Sequence, residues 1–469
     1  MANSIRIPNA NCIYYIITQG FLQLGKPLIS FFCIDIFLVV MNMRVSFYTL
    51  GCKVNQYETQ AMEQILLQMG MELGSFEEHC DAYIINTCTV TAMADKKNRN
   101  IIRRCRRHNP EAIVGVCGCY SQLDPDAVRE LGADVISGSG GREEFLQLML
   151  HALRTREKAQ RVDKALSRRS FERLPAGGLA ARTRAMLKVQ DGCCNFCSYC
   201  IIPYARGPVR ALPLEEAVAQ AKALCEEGYR EIVVTGIEIA SWGRDLPEKP
   251  RLTALLDALC QAAPVRLRLG SLEPRIVDEE FCKTLSRYPN VCPQFHLSLQ
   301  SGSDTVLKRM NRKYDSARYY ESVCLLRRFF PNCAVTTDLI VGFPGETEEE
   351  FEESLAFIEK CGLSQVHVFP YSRRPGTPAD RLPEQISRQE KEHRSAIAIA
   401  AAAKLSETYR QAMVGSVQHV LFEQPEKSLF AGHATNYVKV YAPGEGLHNQ
   451  IRNVRITEVF ADGVKGEIL

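Results

Sequence analysis

Met186-Leu187-Lys188-Val189-Gln190 runs directly into Asp191-Gly192-Cys193-Cys194-Asn195-Phe196-Cys197-Ser198-Tyr199-Cys200-Ile201-Ile202-Pro203. The first run reads as a strand and the second as the loop leaving its carboxyl end. Within the loop, Cys193, Cys197 and Cys200 are spaced C-x3-C-x2-C, and Cys194 is surplus to that spacing. Thiolates hold iron–sulfur clusters. A cubane has four irons, so three close cysteines leave one iron free to bind and activate a small molecule. The competing reading is a structural zinc site. It is weaker, because structural zinc takes four closed ligands, usually as two pairs, and no second pair lies nearby.

Downstream of the loop, strand-like runs recur at residues 231–236, 265–271, 294–300, 334–342 and 365–369. Helix-like stretches separate them; the one opening at Pro213 carries apolar Ala217, Ala221 and Leu224. With the run at 186–190 this makes six strands in βα alternation. The pattern predicts a partial βα barrel over residues 182–410, with function at the carboxyl ends of its strands. Residues 342–347 read as a turn, with Thr347 capping an acidic helix start.

Upstream, the same alternation builds a different layer. Residues 44–50 read as a strand ending in Gly51-Cys52, and 82–85 as one ending in Asn86-Thr87-Cys88. Residues 112–116 form a third, ending in Cys117-Gly118-Cys119. Helical runs from Asn55 to Met69 and from Ala92 to His108 lie between them. This predicts an α/β domain with a doubly wound parallel sheet over residues 43–150. Ligands of such sheets sit outside the carboxyl ends of the strands. Cys52, Cys88 and Cys119 each lie just past one. Any one of them alone is most simply a small buried residue; three at equivalent strand ends read as a ligand set. Cys117 satisfies the pattern as well as Cys119.

Bulk properties set the frame. The chain has 469 residues, 46% hydrophobic and 24% charged, with a formal net charge of +3. That length suggests about three domains, and the charge alone announces no nucleic-acid partner. Nineteen cysteines, many isolated, fit reduced thiols with some holding metal, and not a secreted disulfide framework. Residues 27–40 are apolar but too short for a membrane span of about 20 residues, and Asp35 interrupts them. A signal peptide's basic start and cleavage site are not evident. Residues 1–42 therefore read as a doubtful extension, with the true start at Met41 or Met43 and no stable membrane association. Residues 151–181 read as a basic linker. The helical run before it carries Lys96, Lys97, Arg99, Arg103, Arg104, Arg106 and Arg107. Such runs are usually solvated faces, but two of them make phosphate contacts an expectation. After an alanine-rich helix, residues 411–469 change to short strands at 417–422, 438–441, 454–457 and 464–469, which predict a small all-β barrel.

The loop Cys193-Cys194-Asn195-Phe196-Cys197-Ser198-Tyr199-Cys200 resembles the cluster loop of the radical S-adenosylmethionine (SAM) enzymes. In that family the fourth iron chelates the amino and carboxylate groups of SAM, and an electron from the cluster cleaves SAM to a 5′-deoxyadenosyl radical. Thr49-Leu50-Gly51-Cys52-Lys53-Val54-Asn55-Gln56-Tyr57-Glu58-Thr59, Asn86-Thr87-Cys88-Thr89-Val90-Thr91 and Gly118-Cys119-Tyr120-Ser121-Gln122 look like the amino-terminal domain of the methylthiotransferases. The resemblance covers nearly all of the chain from residue 43. It implies that Cys52, Cys88 and Cys119, not Cys117, hold an auxiliary cluster, and that Cys193, Cys197 and Cys200 hold the radical cluster. Two 4Fe–4S clusters and SAM would be the cofactors. Tyr199, Gly236, Ser271, Glu273, Gln300 and Asp338 occupy positions that contact SAM in this family. The carboxy-terminal barrel resembles the TRAM domain, which binds RNA.

The wording Gly51-Cys52-Lys53-Val54-Asn55-Gln56-Tyr57-Glu58 is most similar to the branch acting on threonylcarbamoyladenosine in tRNA. The branch acting on isopentenyladenosine usually reads Gly-Cys-Gln-Met-Asn here, and the ribosomal-protein branch Gly-Cys-Pro-Lys-Asn. The implied activity is conversion of N6-threonylcarbamoyladenosine at position 37 of tRNA to its 2-methylthio derivative, in the cytoplasm. A tRNA anticodon loop, an electron donor such as flavodoxin or ferredoxin, and a sulfur source would be its partners. The alternatives are methylthiolation of isopentenyladenosine or of a ribosomal-protein side chain. From another class, the chain would be an RNA-binding iron–sulfur sensor without turnover. The intact cysteine loop and Gly270-Ser271-Leu272-Glu273 disfavour the sensor, which has no need of a SAM site.

Overall fold

The computed structural model describes residues 43–178 and 182–469. The expectations for residues 1–42 lie outside them. The amino-terminal layer is a six-stranded parallel sheet of β1 (Arg44–Thr49), β2 (Glu72–Gly74), β3 (Ala82–Thr87), β4 (Ile113–Gly118), β5 (Val135–Ser137) and β6 (Ala159–Arg161), in the order β2-β1-β3-β4-β5-β6. Every residue of β3 and β4 is buried, as central strands covered by helices on both faces must be. The helix Lys53–Gln68 returns the chain from β1, and Ala92–His108 from β3. The latter buries Ile101, Ile102 and Cys105, and the Thr91 hydroxyl accepts from the Ala94 amide at its start. Strands β2, β5 and β6 have only three residues each, too few to show a period in the sequence. Within the span read as a basic linker, residues 151–155 complete the helix Arg142–Thr155 and β6 adds the last strand of the sheet.

The order places a switch point between β1 and β3, where the sheet grows in opposite directions from its first strand. A crevice opens there at the carboxyl ends. Cys52 follows β1 and Cys88 follows β3.

The central layer has strands β7 (Arg184–Lys188), β10 (Glu231–Thr235), β11 (Arg266–Leu269), β12 (Gln294–His296), β13 (Ala334–Val341) and β14 (Gln365–Pro370). They pair in parallel as β11-β10-β7 and β12-β13-β14. Parallel bridges Leu267–Val291 and Leu272–Leu297 join the two halves. The result is the six-stranded partial barrel expected from the alternation. β8 (Gln190–Asp191) and β9 (Arg210–Ala211) pair antiparallel and bracket the cysteine loop. The Thr347 cap is present, with Glu350 completing a reciprocal capping box.

The carboxy-terminal layer is a closed barrel of β15 (Val417–Glu426), β16 (Leu429–Ala434), β17 (Lys439–Ala442), β18 (Ile451–Phe460) and β19 (Gly463–Ile468), ordered β15-β16-β17-β19-β18. The sequence predicts four of these strands and assigns none between residues 422 and 438, where β16 lies. Gly432 disguises it, but a glycine is needed, because a Cβ there would lie 2.3 Å from the Leu421 carbonyl of the neighbouring strand. The barrel seals the amino ends of the central strands. Arg266 Nη2 donates to the His419 carbonyl at 2.7 Å and Arg268 Nη1 to that of Thr435 at 3.0 Å. The Arg268 guanidinium lies 4.5 Å from the Tyr437 ring centre.

Candidate active site

Two glycines shape the loops that carry the cysteines. Gly51 has a φ of +111°, and a Cβ on it would lie 2.7 Å from Cys88 Cβ. Only glycine lets the end of β1 press against Cys88. Gly192 has a φ of +74°, and a Cβ there would lie 1.9 Å from the Pro208 carbonyl. This close approach folds the 193–200 loop back over β8 and β9.

The thiols gather as the strand ends dictate. Cys88 and Cys119 are buried and Cys52 is accessible. Burial pushes the Cys88 thiol up to about 12, and the Cys119 and Cys52 sulfurs add to the shift. Burial pushes Cys119 up as well, and Arg206 opposes it. Cys117, one residue before the turn, faces the other way, into the apolar core with Val45, Met62, Phe145 and Met149. In the second loop, burial brings Cys193 and Cys200 to about 12, with neighbouring thiols contributing. Cys194 is exposed. Cys119 lies within electrostatic reach of Cys200, so the two groups of thiols face each other across the boundary between the layers.

Guanidiniums address both groups. Arg206 Nε donates to Cys119 Sγ at 3.2 Å, and Arg312 Nη1 to Cys197 Sγ at 3.1 Å. Arg206 ends the helix Ile202–Arg206, which follows directly from the 193–200 loop. Its Nη2 donates to Asn55 Oδ1 at 2.6 Å and its Nη1 to Glu58 Oε1. Glu58 also accepts from Arg142 Nη2 at 2.7 Å and Lys188 Nζ at 3.2 Å. Lys188 reaches Asp191 at 2.7 Å, and Arg210 lies 3.5 Å from it. Asn55, Glu58, Arg142, Lys188, Asp191, Arg206 and Arg210 are all buried. Burial alone would raise the Glu58 carboxyl, but Arg142, Arg206 and Lys188 outweigh it and hold it well below 4.5. Buried charges persist only when paired.

The other expected residues occupy the carboxyl rim of the partial barrel. Gly236 packs on Gln190, whose Oε1 would lie 2.8 Å from a Cβ. Ser271 is exposed. Glu273 is buried and accepts from Arg275 Nε at 2.7 Å. Gln300, with a φ of 73°, exchanges backbone hydrogen bonds with Asp338 and Ile340 across to β13. Asp338 lies 3.4 Å from His296 Nε2. Tyr199 packs beside Arg312 and Cys197, and burial raises its hydroxyl pKa well above 10. Sequence reasoning missed Glu58, Lys188, Arg206, Glu238 and Arg312. No local signal marked the first two, because Glu58 sits among the polar residues of its helix and Lys188 shares its strand with Arg184. Glu238, just past β10, faces Cys193 and Glu273, and its Oε1 is buried with no hydrogen-bond partner.

These residues fit iron–sulfur groups and SAM. Buried thiols met by guanidinium donors suit thiolates charge-balanced by iron. The orphaned Glu238 oxygen suits the ammonium of an amino acid moiety. Among the described residues, no three His, Cys, Asp or Glu side chains stand close enough to enclose a single metal ion. A cubane holds its thiolates at separate corners and has no need of such closeness.

Comparison with known proteins agrees. Residues 187–358 match the Radical SAM superfamily, and residues 44–138 match Uncharacterized protein family UPF0004. A threonylcarbamoyladenosine tRNA methylthiotransferase of Bacillus subtilis is 40% identical over 421 residues, spanning 88% of this chain and 93% of the relative. A Thermotoga maritima protein of the same name is 36% identical, over 89% and 95% of the two chains. A tRNA-2-methylthio-N(6)-dimethylallyladenosine synthase of Natranaerobius thermophilus is 32% identical, over 90% and 96%. Among solved structures, the radical SAM methyltransferase TsrM of Kitasatospora setae superimposes with a TM-score of 0.53 at 16% identity, over 78% and 89% of the chains, a likeness of fold. With relatives of this identity spanning almost its whole described length, and with both cysteine loops in place, the chain belongs to the methylthiotransferase family of radical SAM enzymes.

Proposed function

We propose that this enzyme converts N6-threonylcarbamoyladenosine in tRNA to its 2-methylthio derivative. The observation that carries the reading is the 40% identity over 88% of the chain to a relative named for that reaction. Cys52, Cys88 and Cys119 hold the auxiliary cluster in this reading, and Cys193, Cys197 and Cys200 the radical cluster. Tyr199, Gly236, Ser271, Glu273, Gln300 and Asp338, joined by Glu238, frame SAM. When bound, these groups supply an electron, a carbon radical, sulfur and the methyl group. The reaction replaces an aromatic C–H with C–S–CH3, which no acid–base pair does to adenine C2.

The chain's own residues bind and orient. Arg206 and Glu58 hold the two cysteine loops in register. The exposed Lys96, Lys97 and Arg103 of the helix behind Cys88 suit phosphate contacts, which position an RNA without reading its bases. An anticodon loop offers an unstacked base at low cost. An electron donor such as flavodoxin or ferredoxin and a sulfur source complete the partners, and tRNA places the reaction in the cytoplasm. No helix among the described residues is long and apolar enough to cross a membrane.

Nucleoside mass spectrometry of tRNA tests the reading. Deleting the gene should remove the 2-methylthio form and leave threonylcarbamoyladenosine, and complementation should restore it. Persistence of the 2-methylthio form in a strain with no second such enzyme would overturn it.

A further inference from the structure

The inner wall of the partial barrel carries charge that the chemistry above does not use. On β14, Gln365, His367 and Phe369 are exposed while Val366 is buried. Their partners across to β13 are Thr336, Asp338 and Ile340. The exposed face therefore looks into the barrel's interior and not into its surrounding core. His296 joins it from β12, its ring 6.1 Å from that of His367. Deeper in, Glu231 accepts from Arg184 Nε at 2.7 Å and from Arg268 Nε at 2.7 Å, and Glu423 takes the other side of Arg184 at 3.0 Å.

Lys53, the residue after Cys52, reaches into this chamber from the other layer. It is solvent-accessible, yet it stands within electrostatic reach of Arg268, Arg184, Glu231 and His367. The arginines are matched by Glu231 and Glu423. Lys53 has no hydrogen bond and no carboxylate within ion-pair distance among the described residues.

We propose that the Lys53 ammonium binds the carboxylate of the threonylcarbamoyl group; this rests on the reading of the substrate given above. The placement suits the substrate's chemistry. C2, the atom modified, and N6, which bears the threonylcarbamoyl arm, flank N1 on one edge of adenine. Cys52 and Lys53 are consecutive, so a base with C2 at the cysteines holds its arm within one side chain's reach. Phe369, 43% exposed on the same wall, offers a face for stacking a flipped base. The isopentenyl group of the sister substrate carries no charge. Lysine contributes a point charge, and arginine is the nearest substitute that preserves it.

Three anticodon stem-loop RNAs test this, carrying threonylcarbamoyladenosine, its methyl ester, or unmodified adenosine. Binding is measured with reconstituted full-length protein at fixed salt. The wild type should bind the acid at least ~10-fold tighter than the ester, the equivalent of about 1.4 kcal/mol. Lys53→Gln should bind acid and ester alike, and Lys53→Arg should restore most of the discrimination. Iron and sulfide content, equal in the three proteins, guards against a misfolded variant. Undiminished discrimination in Lys53→Gln overturns the assignment of Lys53. A wild type that methylthiolates the acid-bearing RNA yet ignores the ester substitution also overturns it, and leaves the proposed function standing. A wild type that fails to methylthiolate that RNA defeats the proposed function itself.

Discussion

Arg206 Nε stands 3.2 Å from Cys119 Sγ, although Arg206 follows the cysteine loop of the central barrel and Cys119 ends a strand of the amino-terminal sheet. One buried guanidinium thus ties the two groups of thiols together. Hydrogen bonds and positive charge at a cluster's sulfurs favour its more negative, reduced state. In protein carrying Cys193→Ala, Cys197→Ala and Cys200→Ala, which isolates the auxiliary cluster, Arg206→Gln should shift the reduction potential to more negative values. A tenfold change in the reduction equilibrium corresponds to about 59 mV for one electron. Redox titration followed by electron paramagnetic resonance reads the shift, and identical potentials would show that Arg206 has no such effect.

The two thiol groups should separate functionally. Cys197→Ala should abolish formation of 5′-deoxyadenosine from SAM and dithionite. Cys88→Ala should retain it while losing methylthiolated product. Chromatography of the nucleosides checks both, and equal loss of 5′-deoxyadenosine in the two variants would contradict the division.

Glu58 pairs with Arg142, Arg206 and Lys188 in a fully buried network. Removing one partner of such a group typically costs about 3–5 kcal/mol. Glu58→Gln should therefore lower the denaturation midpoint sharply, by an amount that chemical unfolding measures. A change within experimental error would mean that the network is not held together by that charge.

Two buried carboxylates, Glu58 and Glu231, each in its own network, fix the response to acid. Burial alone would raise the Glu231 carboxyl, but Arg268, Arg184 and Arg266 bring it to about 2; Glu58 is also held below 4.5. A carboxyl with a depressed folded pKa adds stability that is fully present above its unfolded pKa and lost as pH falls toward the folded value. Stability should decline from about pH 4.5 down to about pH 2. Glu231→Gln should start from a lower plateau and decline less steeply over that range. Thermal unfolding at stepped pH checks the slope.

Arg104 and Arg106 are occupied by Glu77 and Asp134; of the exposed cations Lys96, Lys97, Arg103 and Arg107 of their helix, the first three are the nearer to Cys88 along the chain. Reversing those three charges should weaken tRNA binding and flatten its salt dependence, by roughly one unit of slope per lost phosphate contact. Filter binding across a salt series measures both, and an unchanged slope would place the tRNA elsewhere.

Much of this was legible in the residues themselves. The C-x3-C-x2-C spacing is local, so Cys193, Cys197 and Cys200 needed no fold to be found. The βα alternation carried six strands of the barrel and three of the sheet, because their apolar or alternating runs are long enough to show a pattern. From that topology followed the position of Cys52, Cys88 and Cys119 at strand ends. The three-residue strands β2, β5 and β6, and β16 with its glycine, left no period to see.

Only the tertiary structure chose Cys119 over Cys117 on physical grounds: Cys117 still lies in the strand and packs into the apolar core, whereas Gly118, with a φ of +108°, turns the chain so that Cys119 opens the next helix. It also supplied the partners of charge. Glu58 and Arg206 are 148 residues apart, and no spacing in a sequence encodes which buried charges finish side by side. Ligand type is a property of residues; the neutralisation, tuning and orientation of those ligands is a property of packing.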